Sequence, residues 1–403
     1  MPAHKWQFAP RFRRQAFGWR SDTPIQRIKE AMAEIKAMAK KDPLLAAEGA
    51  VLLLEKLSPA LEQVDSSSGA IGSWVNRAID TLVPIIAAVE VPQKTRQLWL
   101  ERLWEAVQED GMSYIEGLGD HWGVLCAGPE LAAQWADDFL PGVQAVWSPS
   151  AAGGSYFQGS TACLASLLAA GRHQELLALL ETERTKWWHY RQWGVKALVV
   201  MGKKAEAIRY AEELRGQNDP DQEIAQACEA ILLSSGLGDA AYERYAIKAN
   251  QCGTHLATYR TITKKYPHKA APEILRDLVA STPGAEGKWF AAAKEAGLFA
   301  EAIALVQRSP ADPRTLTRAA NDFADKQPAF AMHSGLAALR WIANGDGYEI
   351  TGGEVLDAWM ATLQAARNAG VDVQQVKEQV RAMVVGDLRS QRFVHSILGP
   401  TLT

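Results

Sequence analysis

The chain has 403 residues, of which 48% are hydrophobic, and its 43 basic and 46 acidic side chains give a formal net charge of −3. This length allows two ordinary domains or one extended helical array with a sizeable core. The near balance of charge disfavours a protein whose whole surface is built for DNA or for a membrane, and leaves room only for a local basic patch.

The cysteines and the apolar runs bear on metal sites and location. The four cysteines are Cys126, Cys163, Cys228 and Cys252. They form no CxxC pair and have no histidine at zinc-ligand spacing, so we expect no metal and no cofactor. Isolated thiols are typical of small buried side chains in a reducing compartment. The runs 51–54 and 82–89 are shorter than the ~20 residues of a membrane span, and the N-terminus lacks a secretory signal. A cytoplasmic protein that avoids membranes is expected.

The first predicted helix spans 23–39. Its apolar side chains recur at steps of three and four residues: Ile25, Ile28, Met32, Ile35 and Met38. Such a stripe is typical of a helix that packs on one face. Thr23, Pro24 and Gln26 predict a capping box with Thr23 as N-cap, and Ser58–Pro59 predicts the start of another short helix.

Helical patterns continue along the chain, and strand patterns are nearly absent. In the first part they cover about 23–41, 43–57, 69–89, 93–109 and 129–139. Further on, helices are predicted after Asp219–Pro220 and after Asp312–Pro313, and Thr351 with Glu354 predicts a second capping box. The last apolar stripe consists of Val373, Val376, Val380 and Val384.

A turn recurs in the second half of the chain. Similar segments follow Gly171, Gly202, Gly236 and Gly297, at spacings of 31, 34 and 61 residues, the last being two periods. The skipped copy falls near 266–269. Each glycine can adopt the left-handed conformation that ends one helix, so that a second helix packs against the first. Such a pair buries its apolar face only by stacking on neighbouring pairs.

These patterns predict an all-α protein, an α-solenoid of antiparallel helix pairs preceded by an N-terminal helical domain. The Pro/Gly/Ser-rich stretch 147–155 is the expected boundary between the two. We therefore expect a basic-aromatic arm at 1–22, a helical domain at 23–147, a repeat array at 155–340 and capping helices at 341–403.

The repeated Gly-x3-Glu-Ala-Ile turn resembles the junction between the two helices of a tetratricopeptide repeat, over roughly 160–310. The first helix of each pair lacks the Trp-x2-Leu-Gly-x2-Tyr pattern of that family, so the resemblance implies divergent repeats.

The whole chain also resembles an uncharacterised bacterial family, a domain of unknown function. The segments that carry this resemblance are RFRRQAFGWRS, LSPALEQVDSSSGAIG, KALVVMGKKAEAIRYAEE, KYPHKAAPEILRDLV and GAEGKWFAAAKEAG. The resemblance implies a cytoplasmic bacterial helical-repeat protein and assigns no catalytic residue.

The arm is the first candidate binding segment. It combines basic and aromatic side chains without an acid before Asp22, and its candidate contact residues are Arg11, Arg13, Arg14 and Trp19. Arginines neutralise phosphates and aromatic rings stack on bases, so the arm could bind nucleic acid. In the alternative, the aromatic side chains dock on the first helices, while the arginines lie in solvent or pair with acidic faces.

The second candidate is the aromatic and basic segment 184–204. Its rings cannot all line one groove, because Trp187 and Tyr190 share a helix side that Trp188 and Trp193 do not. Packing explains some of them. The expected contact residues are Tyr190, Arg191 and Lys196, and a basic wall is expected from Arg191, Lys196, Lys203 and Lys204.

Three further stretches have polar residues for which a structural role is preferred. Residues 64–74 lack the pattern of a phosphate loop, and Asp65 or Ser68 is expected to cap the next helix. Glu116, Asp120 and His121, like the pair 137–138, lack a catalytic motif around them. Residues 344–354 are expected to form a loop between two helices.

The expected function is non-enzymatic binding of a protein or peptide by a scaffold or adaptor, because curved helical arrays expose extended surfaces. One alternative is nucleic-acid binding through the arm and residues 184–204. A third is an enzyme with a site between the two halves. The identity of the partner and the oligomeric state do not follow from the sequence.

Overall fold

A computed structural model describes residues 4–148, 156–213 and 220–402, and this part of the chain consists of helices and connecting turns, with no strand. The all-α prediction is therefore confirmed. The chain divides into two compact units, residues 1–220 and 221–403. The stretch 149–155, where a boundary was expected, lies outside the described residues, and the helices before and after it belong to the first unit. Within the described residues, no helix is long and apolar enough to cross a membrane.

The described residues of the first unit form ten α-helices. They are α1 (Asp22–Ala39), α2 (Pro43–Leu61), α3 (Ala70–Ala87), α4 (Gln93–Gln108), α5 (Trp122–Cys126), α6 (Pro129–Trp147), α7 (Ser160–Ala169), α8 (His173–Thr182), α9 (Trp188–Val200) and α10 (Lys204–Glu212). Short 3₁₀ turns, Ala9–Arg11 and Glu116–His121, precede α1 and α5.

Helices α1 to α3 pack together, and α7 is the centre of the rest of this unit, in contact with α5, α6, α8 and α9. Tight contact with α7 depends on Gly123, where a Cβ atom would lie 2.8 Å from the Cβ of Ala169. Around it the core is aromatic: Trp122 is fully buried and its ring lies edge-on to Trp104, Trp135 and Phe139. Ten of the 14 tryptophans are buried, so most serve packing.

The second unit contains twelve α-helices. They are α11 (Asp221–Leu233), α12 (Gly238–Ala241), α13 (Ile247–Ala249), α14 (His255–Lys265), α15 (Ala271–Ala280), α16 (Phe290–Glu295), α17 (Phe299–Arg308), α18 (Pro313–Phe323), α19 (Pro328–Asn344), α20 (Gly352–Asn368), α21 (Val373–Met383) and α22 (Arg389–Leu402). A π-helical turn, Tyr242–Ala246, joins α12 to α13, and a 3₁₀ turn, Glu286–Trp289, precedes α16.

In this second unit, most consecutive helices pack as neighbours, and α18, α19 and α20 form its most extensive contacts. Gly335 lies in α19 directly against the side chain of Thr362 in α20, where no side chain could be accommodated. A buried carboxylate ties α11 to α14: Glu229 accepts hydrogen bonds from Tyr266 Oη at 2.5 Å and from Asn250 Nδ2 at 2.6 Å. Lys265 Nζ donates to its other oxygen at 2.5 Å. This network fixes the register of the two helices.

The repeated turn was predicted correctly at the level of the backbone. Gly171, Gly202, Gly236 and Gly297 all have φ between +73° and +77°. At each of them the glycine N–H bonds the carbonyl three residues back, and the next N–H bonds the carbonyl five residues back, as at Gly202 (to Val199) and Lys203 (to Leu198). This is the Schellman arrangement that satisfies the last carbonyls of a helix. The same turn also occurs, unpredicted, at 345 and 370.

Two predicted helix starts are confirmed. Asp312 is the N-cap of α18 and accepts from the backbone N–H of Thr315. Thr351 and Glu354 form the complete capping box of α20. The helix predicted after Asp219–Pro220 is also present, since α11 begins at Asp221, although Asp219 itself lies outside the described residues.

Two other predicted starts are wrong. Ser58 and Pro59 lie inside α2, three residues before its end, where the missing N–H of proline removes only one bond and buried neighbours hold the helix. Helix α1 begins at Asp22 with Ser21 as N-cap, not at Thr23. The N–H groups in the first turn of a helix have no helical partner. A proline is therefore tolerated at the third position of the helix, where Pro24 lies in α1, as well as at the first position.

Candidate binding site

The N-terminal arm is docked on the first unit by its aromatic side chains. Trp6, Phe8, Phe12 and Phe17 are all buried, and neighbouring rings along this series lie 5.3 to 6.3 Å apart between centroids. Gly49 in α2 leaves the space that the Trp6 indole fills, since a Cβ atom there would overlap the ring. Docked in this way, these four rings cannot stack on bases.

The basic side chains of the arm divide into two groups. Arg11 pairs with Glu30 at 2.8 Å and Arg14 pairs with Glu62 at 2.9 Å, both in exposed positions. Arg13 lies in solvent. Trp19 is 71% exposed and is the one predicted aromatic contact residue of the arm that a partner could reach. The arm is therefore docked on the first helices, with its arginines in solvent or paired with acidic side chains, as the alternative interpretation of the sequence predicted.

The expected exposure of Tyr190 and Arg191 is wrong. Both lie in α9 and are buried, with exposures of 6% and 2%, together with Trp188 and Trp193. Helix α9 contacts both α8 and α10 in addition to α7, so nearly its whole circumference is covered. Among the aromatic side chains of this segment, Trp187, just before α9, is the exposed one, at 56%.

The guanidinium of Arg191 lies between two helices. Its Nη1 donates to Glu181 Oε1 at 2.8 Å and to Tyr210 Oη at 2.6 Å. Burial would lower the pKa of Arg191, but its bonds to Tyr210 and Glu181 outweigh that effect and the pKa is raised. Gly194 allows Tyr210 to approach α9 and reach Arg191, because a Cβ atom at position 194 would lie 2.7 Å from the Tyr210 ring. Arg191 is thus a structural residue.

Of the residues predicted to form a basic wall, Arg191 is buried in the core, whereas Lys196 and Lys203 are exposed. The ammonium of Lys196 lies 3.8 Å from the centre of the Trp193 ring, and burial there lowers its pKa, while the charge of Asp120 opposes the change. Lys203 pairs with Glu206 at 3.3 Å. Lys204 begins α10 and is half-buried.

The scattered carboxylates have structural partners. His121 lies 3.5 Å from Asp80, and Asp137 pairs with Arg172 at 2.5 Å. Asp65 accepts from the backbone N–H of Ser67 and so closes a turn instead of capping α3, while Ser68 Oγ accepts from the first N–H of that helix. No group of three or more metal-ligating side chains occurs in the described part of the chain.

The cysteines follow the prediction with one exception. Cys126, Cys163 and Cys228 are buried thiols, whereas Cys252 is exposed. Burial raises the pKa of Cys126 and of Cys163 to about 12, so that neither is a reactive thiolate at neutral pH.

An apolar groove of about 450 Å³ lies in the second unit, between α15 and α17. This volume is in the range of ligand sites. Its floor is apolar and consists of Leu275, Val279, Ala280, Pro283, Ala304 and Leu305. We call it the α15–α17 groove. Its end is held rigid because the N–H of Gly287 donates to Ser309 Oγ at 2.8 Å and Trp289 Nε1 donates to Thr282 at 2.7 Å.

The rim of this groove is charged. Arg276, Glu286, Glu301 and Arg308 surround the apolar floor. Backbone N–H groups of Glu286 and Gly284 lower the pKa of the Glu286 carboxyl, with a further contribution from Arg308. Arg276 donates to the carbonyl of Pro272 within its own helix. Neither arginine has a carboxylate within ion-pairing distance among the described residues, so both can receive one.

Sequence reasoning did not find this groove, although one signal was present. On α15, Ile274, Leu275 and Leu278 are buried in the core, while Val279 and Ala280 are less buried and widen the apolar face beyond what one helix contact covers. An apolar face of this width indicates that the helix has a second apolar surface, beside its core contact, on which another element or a ligand can pack.

Comparisons of the chain with known protein families, with characterised proteins and with solved structures found no match. Functional inference therefore depends on the geometry of the two units themselves.

Proposed function

We propose that this protein is a non-enzymatic helical-repeat protein that binds a protein or peptide segment in the α15–α17 groove. The observation that carries the proposal is the combination of an apolar floor with two arginines on the rim of that groove that form no ion pair within the described residues. An apolar floor accepts the anchor side chains of a partner, and the rim sets their orientation.

The arrangement of the second unit supports a solenoid of antiparallel helix pairs. The pairs α14/α15, α16/α17 and α18/α19 each pack together, and contacts between alternate helices, α14 with α16 and α17 with α19, link one pair to the next. The Schellman turn recurs within this series. Stacked pairs of this kind leave grooves between successive helices of one row, and the α15–α17 groove has that position.

The partner segment is defined by what the groove accepts. Its apolar side chains would pack on the accessible part of the floor, Val279, Ala280 and Ala304, and an acidic side chain beside them would pair with Arg276 or Arg308. Arginine binds a carboxylate through two parallel hydrogen bonds, which gives direction as well as affinity. Acidic residues next to apolar anchors are therefore the expected signature of the partner.

Selection from a random peptide library against the full chain tests this proposal without a known partner. We expect the selected peptides to share apolar anchors next to Asp or Glu. Ala304→Arg places a long charged side chain in the groove and should weaken their binding at least about tenfold. Ala382→Arg is the matched control, since Ala382 is also helical and exposed but lies outside the groove.

Three outcomes contradict the proposal. In the first, no peptide is selected. In the second, the selected peptides bind the Ala304→Arg and Ala382→Arg variants with equal affinity. In the third, the selected peptides contain no acidic residue and bind Arg276→Gln and Arg308→Gln as well as they bind the wild type. Binding of single-stranded nucleic acid that is lost on charge reversal in the arm would favour the alternative instead.

A further inference from the structure

A second groove of the second unit has a different chemistry. It lies between α18 and α20 and has a volume of about 380 Å³. The two helices run parallel, because Arg314 pairs with Glu354 near their first turns and Asn368 bonds Ala324 and Asp325 at their far ends. Pro313, Ile342 and Ile350 are the apolar part of its lining, and Ile350 is the most accessible of the three. We call it the α18–α20 groove.

One end of this groove is closed by the loop that joins α19 to α20. Arg314 holds this loop, since it bonds Glu354 Oε1 at 2.5 Å and the carbonyl of Glu349 at 3.4 Å. Glu349 has a left-handed φ of +46°, which is unusual for a residue with a side chain. At Gly347, a Cβ atom would lie 2.8 Å from Ile350. Strained loops of this kind persist where the surroundings fix them, and they cluster at ligand sites.

Four further polar side chains of the groove have no partner in the described part of the chain. Arg318, Asn321 and Asp322 lie on two successive turns of α18, and Asp357 lies on α20. All four are exposed, and within the described residues none of these side chains forms a hydrogen bond or an ion pair. Since Arg314 is neutralised by Glu354, the unpaired groups leave the groove with two negative charges against one positive charge.

We infer that the α18–α20 groove binds the cationic side chain of an arginine or a lysine. The aliphatic stem would pack on Ile342 and Ile350, the cationic end would pair with Asp322 and Asp357, and Arg318 with Asn321 would bind the carboxylate or the main-chain carbonyl of the same residue. A purely anionic ligand would meet two carboxylates, and a purely apolar one would leave four polar groups desolvated without partners.

This inference does not depend on the α15–α17 groove. The ligand residue can come from two sources, free arginine or an arginine within a peptide. In the free amino acid the carboxylate would pair with Arg318, whereas in a peptide the main-chain carbonyl takes its place. Comparison of L-arginine with acetyl-Gly-Arg-Gly-amide separates the two.

The test uses the full chain with ¹³C-labelled isoleucine methyl groups. Titration with either ligand should shift the resonances of Ile342 and Ile350 and leave Ile224 in α11 unchanged. The same peptide with citrulline, the neutral isostere of arginine, in place of arginine should bind at least about tenfold more weakly. Both arginine ligands should also bind the variants Asp322→Asn and Asp357→Asn at least about tenfold more weakly than they bind the wild type. Asp387→Asn is the control, since Asp387 is exposed and outside the groove.

The side chains of Asp322 and Asp357 are exposed, so their amide variants retain the fold, which thermal unfolding can verify. The inference is overturned if neither ligand shifts the two methyl resonances at about 10 mM, a concentration at which even a weak specific site is occupied. It is also overturned if citrulline binds as well as arginine, or if both Asp variants bind like the control.

Discussion

Arg191 and Tyr210 form a short polar contact between α9 and α10, with Nη1 of the guanidinium donating to the phenol oxygen at 2.6 Å. The same guanidinium carbon lies 5.4 Å from the centre of the Tyr210 ring. Its Nε and Nη2 are buried and have no hydrogen-bond partner among the residues that the structure describes. A charged group in this state is held by Tyr210 and Glu181 alone, which has a measurable consequence for stability.

Removal of the phenol oxygen should destabilise the protein more than removal of the charge. In Tyr210→Phe the buried guanidinium loses a partner, with an expected cost of about 1–3 kcal/mol. In Arg191→Met a side chain of similar shape replaces a cation whose two nitrogens are unpaired, so the change should be within about 1 kcal/mol and can be stabilising. Urea unfolding measures both, with Tyr348→Phe as control because Tyr348 is 78% exposed. A larger loss in Arg191→Met would contradict this order.

The docked arm predicts a difference between two tryptophans. Trp6→Ala empties the space above Gly49 and should lower the free energy of unfolding by about 3–5 kcal/mol. Trp19→Ala, at a position that is 71% exposed, should change it by less than about 0.5 kcal/mol. Thermal unfolding gives the stabilities, and limited proteolysis shows whether the arm is released. Equal stability of the two variants would mean that the arm is not docked in solution.

The repeated turn gives a prediction in which the same substitution has opposite effects. Gly202 has a φ of +77°, so Gly202→Ala should cost about 1 kcal/mol. Gly72 lies inside α3 with open space around its Cβ position, so Gly72→Ala should stabilise the protein by about 0.5–1 kcal/mol. Chemical denaturation of the two variants measures both changes. A neutral Gly202→Ala would show that the turn is not constrained.

What the sequence could predict was largely local. The glycine turns and the caps at Asp312 and Thr351 depend on residues within one helical turn of each other, and these features were found correctly. Pro59 was placed at a helix start because proline is common there, but the packing of α2 retains it in the last turn. Tertiary contacts outweighed the local preference.

The candidate site could not be predicted in the same way. Arg191 resembles a surface residue in the sequence and is buried only because α8 and α10 cover it from both sides. Conversely, the grooves arise between helices that are separated along the chain, such as α15 and α17. Which arginine is neutralised depends on pairs such as Arg314 with Glu354, forty residues apart. Pairing at such a distance has no local sequence signal.

The thiols should differ in reactivity. Cys252 is exposed, whereas the other three cysteines are buried, and burial raises the pKa of Cys126 and Cys163 to about 12. A disulfide reagent should therefore modify one thiol rapidly in the native protein and all four after unfolding. Mass spectrometry of the labelled protein identifies the site, and Cys252→Ser should abolish the rapid phase. Rapid modification of Cys126 would contradict the described packing.

Glu354 should make the stability of the second unit depend on pH in the acidic range. The bond from Arg314, followed by those from Thr351, lowers the pKa of this carboxyl from an ordinary value of 4.5 to about 2. A group whose pKa is lower in the folded state contributes stability that is fully present above its unfolded pKa and is lost as the pH falls through the folded value.

The window in which this contribution disappears therefore runs from about pH 4.5 down to about pH 2. In Glu354→Gln, which keeps the size of the side chain and removes its titration, unfolding should depend less steeply on pH across that window. Glu301→Gln is the control, because Glu301 is an exposed carboxylate outside this pair. Urea unfolding at pH 7, 4 and 3 measures the slopes. If the wild type and Glu354→Gln lose stability in parallel, the Arg314 pair does not hold the carboxylate ionised in solution, and the closed end of the α18–α20 groove is not fixed by it.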